Sequence, residues 1–341
     1  KKALVRERIE LDRMSGESIP PSDLRIVFTV KNGGEKFQKV LKHYLHLGLK
    51  VAVYDDSSND GTWEFLQNEQ QSFQTLLVFP LLRDSRSVHP KALAIEDAVR
   101  RFTEPYLLIL DADSVIERSA FPHALNLLRR YDVVSLKRRN PGNGLVVKIA
   151  DTEEVTNTCL IATGLSKNMF FGSGFFFRRS MFESLTFRDG VLSEDSEFGF
   201  QVRRKNARYI QLLTLEVKEE APRTFSKLVK QRFRWLFAGS IFNFSRYPLS
   251  SWTGTSLFTF IAIGTLARNP LALSLLSSFI FWNFTISFAA QRISKIPVKE
   301  IVWRSAVFAC FYTLVMVWIF PFIVFIHPLL WKKFQFTPTR Y

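Results

Sequence analysis

Tyr106-Leu107-Leu108-Ile109-Leu110-Asp111-Ala112-Asp113 is an apolar run that ends on two carboxylates. Its length and the turn residues after it predict a buried strand. Upstream, 24–30 (LRIVFTV), 49–54 and 76–80 read the same way. Between them, 36–47, 63–70 and 91–102 have helical spacing; in the first, Phe37, Val40, Leu41, Tyr44 and Leu45 recur on one side. Strands alternating with helices predict a mostly parallel sheet with right-handed crossovers. Such sheets bind ligands at the carboxyl ends of their strands. Asp55 and Asp56 follow the second strand, and Asp111 and Asp113 follow the fourth.

The rest of the 341-residue chain changes character near Ser251. Residues 271–290 and 305–326 carry no charge, and each is long enough to cross a bilayer as a helix. Buried helices of a large soluble protein would be the alternative. A third apolar run, 252–266, is short for a span. Residues 221–247 read as one amphipathic helix, with Lys227, Lys230, Gln231 and Arg234 opposite an apolar side. Such a helix suits a membrane interface or the cover of a sheet. The basic segment 291–304, broken by Pro297, is a second interfacial piece or a loop.

The formal net charge is +15, yet no helix-turn-helix, zinc-finger or RNA-binding aromatic signature accompanies it. The basic residues border the apolar tail and the charged motifs, so anionic headgroups and nucleotide phosphates are the expected partners, not nucleic acid. Two cysteines, Cys159 and Cys310, exclude a thiolate metal site and argue against a disulfide framework. No signal peptide is visible.

Several short stretches carry candidate chemistry. Asp111 and Asp113, one small residue apart, suit a hard cation with the phosphates it bridges; a solvated turn is the plain alternative. Asp55-Asp56-Ser57-Ser58-Asn59-Asp60-Gly61-Thr62 is a strand-to-helix turn with an Asp or Asn cap. Lys91, opening a helix after His89-Pro90, could set a point charge on a diphosphate or simply be a surface lysine. Ser193 is expected to cap a helix whose first turn holds Glu194 and Asp195. The helix dipole keeps Asp195 ionised, while burial would act the other way. Gly172-Ser173-Gly174, after Phe171, permits close backbone approach by a ligand, or a tight turn. In Gln231-Arg232-Phe233-Arg234-Trp235, Gln231 and Trp235 lie one helical turn apart with Arg234 beside them. An indole offers a sugar its apolar face, and an arginine can neutralise diphosphate charge; interfacial anchoring is the other use for such residues.

Taken in order, Asp111-Ala112-Asp113, Ser193-Glu194-Asp195, the Gln231–Trp235 string and the apolar tail resemble membrane-embedded family 2 glycosyltransferases. The resembled type is the polysaccharide synthases of cellulose, chitin and hyaluronan. The resemblance covers about residues 24–245 well and the tail more loosely. It implies a GT-A-like α/β nucleotide-sugar-binding domain followed by interfacial and transmembrane helices. It implies that Asp113 ligates Mg²⁺ or Mn²⁺, with Asp111 as second ligand or contact on the nucleotide side. Asp55, and more weakly Asp56, would meet the donor base. Lys91, in a segment similar to HxKA, would meet the diphosphate, with His89 structural. Asp195 would be the general base and Glu194 its support. Gly172, Ser173, Gly174, Gln231 and Trp235 would bind the acceptor, and Arg234 the donor phosphates. Ser57 stands where the family pattern has glycine. Many such synthases carry a membrane helix before the catalytic domain. None is visible here, so the chain is expected to begin inside a longer protein.

The expected function is processive, inverting transfer from a nucleotide sugar, UDP-linked by preference, to a growing polysaccharide, with export of the product left open. A non-processive transferase acting on a lipid carrier and an inactive membrane scaffold are the alternatives. The expected organisation is an arm (1–22), a cytoplasmic catalytic domain (23–221), an interfacial helix region (222–250), a transmembrane region (251–330) and a tail (331–341). Lys332 and Lys333 favour a cytoplasmic C-terminus. Three crossings would place it outside, so either 252–266 lies in the interface or Pro321 breaks the last span.

Overall fold

The computed structural model describes residues 2–12, 19–83, 89–166 and 172–324. Phe171, residues 325–330 and the tail 331–341 with Lys332 and Lys333 lie outside the described residues. Contacts divide the chain into two compact units. One takes the chain up to Arg139 together with Leu160–Glu220. The other takes Asn140–Cys159 together with the chain from Ala221 onward.

The first unit runs α1 (Lys2–Asp12), β1 (Leu24–Val30), α2 (Gly34–His46), β2 (Lys50–Asp55), α3 (Thr62–Ser72), β3 (Leu76–Pro80), α4 (Pro90–Arg101), β4 (Tyr106–Asp111), β5 (Val115–Ile116), α5 (Ala120–Leu127) and β6 (Val133–Arg139). After α6 (Leu145–Ala162), most of which belongs to the second unit, it resumes with β7 (Phe175–Arg178), α7 (Glu194–Arg204) and β8 (Tyr209–Lys218). The eight strands form one sheet in the order β3-β2-β1-β4-β7-β6-β8-β5. The first four pair in parallel, as the alternation predicts. Beyond β4 the sheet is mixed: β7 runs antiparallel to both β4 and β6, and β5 antiparallel to β8.

Strand β1 explains the layering. Leu24, Ile26, Phe28 and Val30 join the core under α2 and α5, while Val27 joins the core under α4 and α7. A strand covered on both faces is apolar throughout, which is why LRIVFTV reads as a continuous run. Chain order reverses at β1, since β2 and β3 extend one way and β4 lies on the other side. A reversal of this kind opens a crevice at the carboxyl ends of the strands. In register, Val30 pairs with Asp55 and Thr29 with Asp111, so β2 and β4 deliver their carboxylates to the same end. Helix α1 is docked on β8: the Glu7 carboxylate accepts from Leu213 N (2.8 Å), Thr214 N (2.9 Å) and the Thr214 hydroxyl.

The second unit contains α6, α8 (Phe225–Arg246), α9 (Pro248–Leu266), α10 (Pro270–Ile293) and α11 (Val298–Leu314). Ile149 and Ala150 of α6 pack with Leu228, Phe311 and Val315. Helix α8 starts at Phe225, not at 221, because Thr224 caps it by accepting from Lys227 N. The short apolar run 252–266 is part of α9, which begins at Pro248. Two helical stretches, Pro270–Ile293 and Val298–Val324, are long and apolar enough to cross a membrane. Only 17% of the apolar window of the first is buried, and Phe281 and Trp282 are exposed. Pro321 does not break the last helix. A π-helical turn at Val315–Ile319 precedes it, and the chain stays helical to Val324. A wide turn of this kind accommodates the missing proline N–H.

Candidate active site

The turn after β2 is built by its polar side chains. Asp55 Oδ2 accepts from Ser58 N (2.9 Å), and Asp60 accepts from Thr62 N (3.1 Å) and from Gly34 N (3.1 Å). Ser58 Oγ accepts from Asn32 N, and Asn32 Oδ1 accepts from Asn59 N, both at 2.8 Å, so the turns after β1 and β2 are stitched together. Ser57, standing for the family's glycine, adopts φ +56°, the left-handed conformation that glycine would take without strain. Asp55 is 4% exposed, and its Oδ1 has no hydrogen-bond partner among the described residues. Asp56 is buried and held by Arg83 through two bonds (2.9 and 2.7 Å), with Lys31 at 3.8 Å.

Lys91 is not a surface lysine. It is 6% exposed, and its ammonium donates to Asp111 Oδ1 and to the Gly172 carbonyl. Glu194 Oε1 lies 3.8 Å away. Burial pulls the ammonium toward neutrality, but the charges of Asp111, Glu194 and Asp195 outweigh it and raise the Lys91 pKa. Glu194 also lies 3.3 Å from His89 Nδ1. The end of β4, the start of α4 and the start of α7 thus converge on one cation.

Asp113 Oδ2 accepts from Glu220 N (3.2 Å). Burial, then the neighbouring Asp111 charge, push the Asp113 carboxyl up to about 6. Glu220 is itself paired with Lys36 (2.6 Å). Among the described residues no group of three or more His, Cys, Asp or Glu side chains is arranged to hold a metal. Two carboxylates on one strand end fit a hard cation that completes its shell with water and phosphate oxygens, rather than a closed protein cage.

Ser193 precedes α7 but does not cap it as expected. Its hydroxyl donates to Asp195 Oδ1 (2.6 Å), lies 2.6 Å from Ser196 Oγ, and caps no backbone N–H. The side chain two residues on competes for that hydroxyl. Asp195 Oδ1 also accepts from Ser196 N (2.7 Å), whereas its Oδ2 makes no hydrogen bond among the described residues. One turn along α7, Phe198 packs against Phe175, Phe177 and Phe182 at ring-centroid distances of 4.9–5.3 Å, which anchors the helix on the sheet.

The Gly172-Ser173-Gly174 segment is engaged internally. Ser173 is buried; its Oγ accepts from Asp111 N (3.0 Å) and lies 2.7 Å from Ser114 Oγ, which donates to Glu219 (3.4 Å). A Cβ on Gly172 would come within 2.5 Å of the Arg138 guanidinium. Gly174 sits at φ +71° with Val217 as close to its missing Cβ. The glycines therefore let the chain close over Lys91 and Asp111.

Gln231, Arg234 and Trp235 lie on α8 in the second unit. The residue between them that sequence reasoning passed over is Arg232. It is 5% exposed, donates from Nε to Glu153 Oε2 (2.6 Å) and from Nη1 to Gln231 Oε1 (2.5 Å), and its guanidinium stands 4.2 Å from the Trp235 ring centroid. The only sequence sign of Glu153 is its place in an acidic cluster with Asp151 and Glu154. Asp151 in turn pairs with Arg304 of α11 (3.4 Å).

No curated protein sequence matches the chain. Among solved structures it resembles the mannosyltransferase PcManGT from Pyrobaculum calidifontis, determined in complex with GDP-Man and Mn²⁺, with a TM-score of 0.51 and 17% identity over 91% of this chain and 95% of that one. It also aligns with S. aureus TarS 1–349, at TM-score 0.45 and 13% identity over 92% and 93% of the two chains. At such identities the likeness concerns the fold, a mixed-sheet α/β architecture of GT-A-like type. The family model "Glycosyl transferase family group 2" matches residues 106–332, which takes in Asp111, Asp113, Glu194, Asp195, the Gln231–Trp235 string and both long apolar helices. By that match, over more than half of its length, the chain belongs to glycosyl transferase family group 2.

Proposed function

We propose that the protein is a membrane-integral, processive, inverting glycosyltransferase that moves a hexose unit from a nucleotide sugar, UDP-linked, to a growing polysaccharide. The observation that carries this reading is Lys91, which joins Asp111 and lies 3.8 Å from Glu194. Asp111, suited to a nucleotide diphosphate and its metal, therefore shares one cation with Glu194, the chain neighbour of Asp195, whose carboxylate suits an acceptor. Asp113 with Asp111 would hold Mg²⁺ or Mn²⁺, which when bound offsets charge on the departing diphosphate. The unpartnered Oδ1 of Asp55 suits a base N–H, and Lys91 suits the diphosphate once the donor competes for it. Asp195, oriented through Oδ1, keeps Oδ2 for the proton of the acceptor hydroxyl. In the reaction, the acceptor oxygen forms a bond to the anomeric carbon as the bond from that carbon to the diphosphate oxygen breaks. The electron pair leaves with the nucleoside diphosphate and the proton goes to Asp195. Gln231 and Trp235 serve the acceptor and Arg234 the diphosphate. The two long apolar helices support a bilayer as the setting, with the catalytic unit on the cytoplasmic side.

The test is to incubate the detergent-solubilised chain with UDP-, GDP- and other nucleotide-linked hexoses in Mg²⁺ and in Mn²⁺, and to size the product. A ladder of lengthening glycans supports the reading. A single sugar added to a lipid carrier would replace the processive part, and no transfer from any donor would overturn the enzymatic one.

A further inference from the structure

We infer that Arg232 is a positioning residue for the acceptor. Through its buried pair with Glu153 it holds the Gln231 carboxamide and the Trp235 indole in one arrangement. The inference rests on the reading that Gln231 and Trp235 meet the acceptor sugar. Three contacts carry it. Nε donates to Glu153 Oε2 at 2.6 Å, Nη1 donates to Gln231 Oε1 at 2.5 Å, and the guanidinium carbon Cζ stands over the Trp235 ring, 4.2 Å from its centre. Both charges are almost wholly buried, Arg232 at 5% and Glu153 at 7% exposure. A buried ion pair is a poor way to stabilise a helix contact, because desolvation consumes much of the attraction. It is a good way to fix orientation, because a guanidinium offers a planar fork and a stacking face at once. Arg232 uses all three capacities, on α6, on its chain neighbour and one turn ahead on α8. Gln231 and Trp235, both partly exposed, are thereby tied to the buried Glu153. An ammonium can keep the charge pair, but it is a point charge with no planar fork to fix its partners and no face to lay on the indole.

The test uses the full chain with 5-fluorotryptophan incorporated, its Trp235 ¹⁹F resonance assigned by Trp235→Phe. Arg232→Lys keeps Glu153 paired and is expected to fold. Where it does not, the charge-free pair Glu153→Gln with Arg232→Gln is measured in its place. The Trp235 resonance is expected to shift or broaden. The KM for a tetrasaccharide acceptor, chosen among gluco-, manno- and N-acetylglucosamine-linked series as the one the wild type extends best, is expected to rise roughly five- to tenfold. Affinity for UDP should change less than about twofold, since a positioning effect is local to the acceptor contacts. An unchanged Trp235 resonance overturns the inference, as does equal loss of UDP affinity and acceptor affinity, the signature of a merely structural pair. If the resonance moves while Trp235→Ala leaves the acceptor KM untouched, the acceptor reading itself is what fails.

Discussion

Buried Lys91 forms an ion pair with the partly exposed Asp111 at the carboxyl end of β4, and the Gly172 carbonyl accepts a further N–H of the same ammonium. The lysine is therefore spoken for in the resting protein, and a donor diphosphate would have to share it.

Lys91→Met leaves Asp111, Glu194 and Asp195 as neighbouring carboxylates without their common cation. Asp111 is partly open to water, which screens the charge left behind, whereas Glu194 is nearly buried and loses a neighbouring cation. The thermal midpoint should fall markedly, and UDP affinity in Mn²⁺ should drop at least tenfold in the protein that remains folded. Unchanged UDP affinity, measured by calorimetry, would show that Lys91 serves only the fold.

Asp113→Asn should preserve the fold, since the side-chain oxygen can still accept from Glu220 N. It should abolish transfer and remove the Mn²⁺-dependent part of UDP binding, because a neutral amide is a weak ligand for a hard cation. Calorimetric titration with and without Mn²⁺ separates the two parts. Near-normal activity would exclude Asp113 from the metal site.

Asp195→Asn keeps the contacts that Ser193 and Ser196 make to Oδ1 and loses the proton acceptor. Transfer should fall on the order of a hundredfold or more with UDP affinity retained. A parallel collapse of UDP affinity would make Asp195 a binding residue.

Glu104 supplies a pH test of the scaffold. Its buried carboxylate accepts from Arg25 (2.7 Å) and Lys50 (3.0 Å), tying β1 and β2. Burial alone would raise its pKa, but the two cations win and hold it at about 2, below the ordinary 4.5. A depressed carboxylate stabilises the fold fully above its unfolded pKa and loses that contribution as pH falls through the folded value. Wild type should exceed Glu104→Gln by about 1.5–3 kcal/mol at neutral pH. That gap should hold down to pH 4.5 and close toward pH 2. Thermal unfolding of both proteins across that range checks it; a gap that grows on acidification would mean that the cations do not hold Glu104 ionised.

Much of the first unit is legible in one dimension. The strands at 24–30, 76–80 and 106–110 and the intervening helices match the structure to within two residues at each end. Period and length suffice there, because the β1–β4 segments contribute to the apolar cores on both faces of the sheet. The later strands escape such reading. β7 is four residues long and owes its place to antiparallel pairing with β4 and β6, partners tens of residues away. The Ser193 cap failed for a local reason that spacing cannot show: Asp195 takes the hydroxyl intended for the backbone.

Order and residue type along the chain were enough to determine the α/β alternation, the carboxylates at strand ends, the basic helix and the two long apolar helices, since each depends on neighbours within a few residues. Tertiary structure alone decided which charges are neutralised. Lys91 finds Asp111 because the sheet sets β4 beside the start of α4, and Arg232 finds Glu153, 79 positions away, because α6 leaves the first unit to pack in the second. Pairing and desolvation depend on what surrounds a side chain in space, so a carboxylate in sequence shows its chemistry but not its partner.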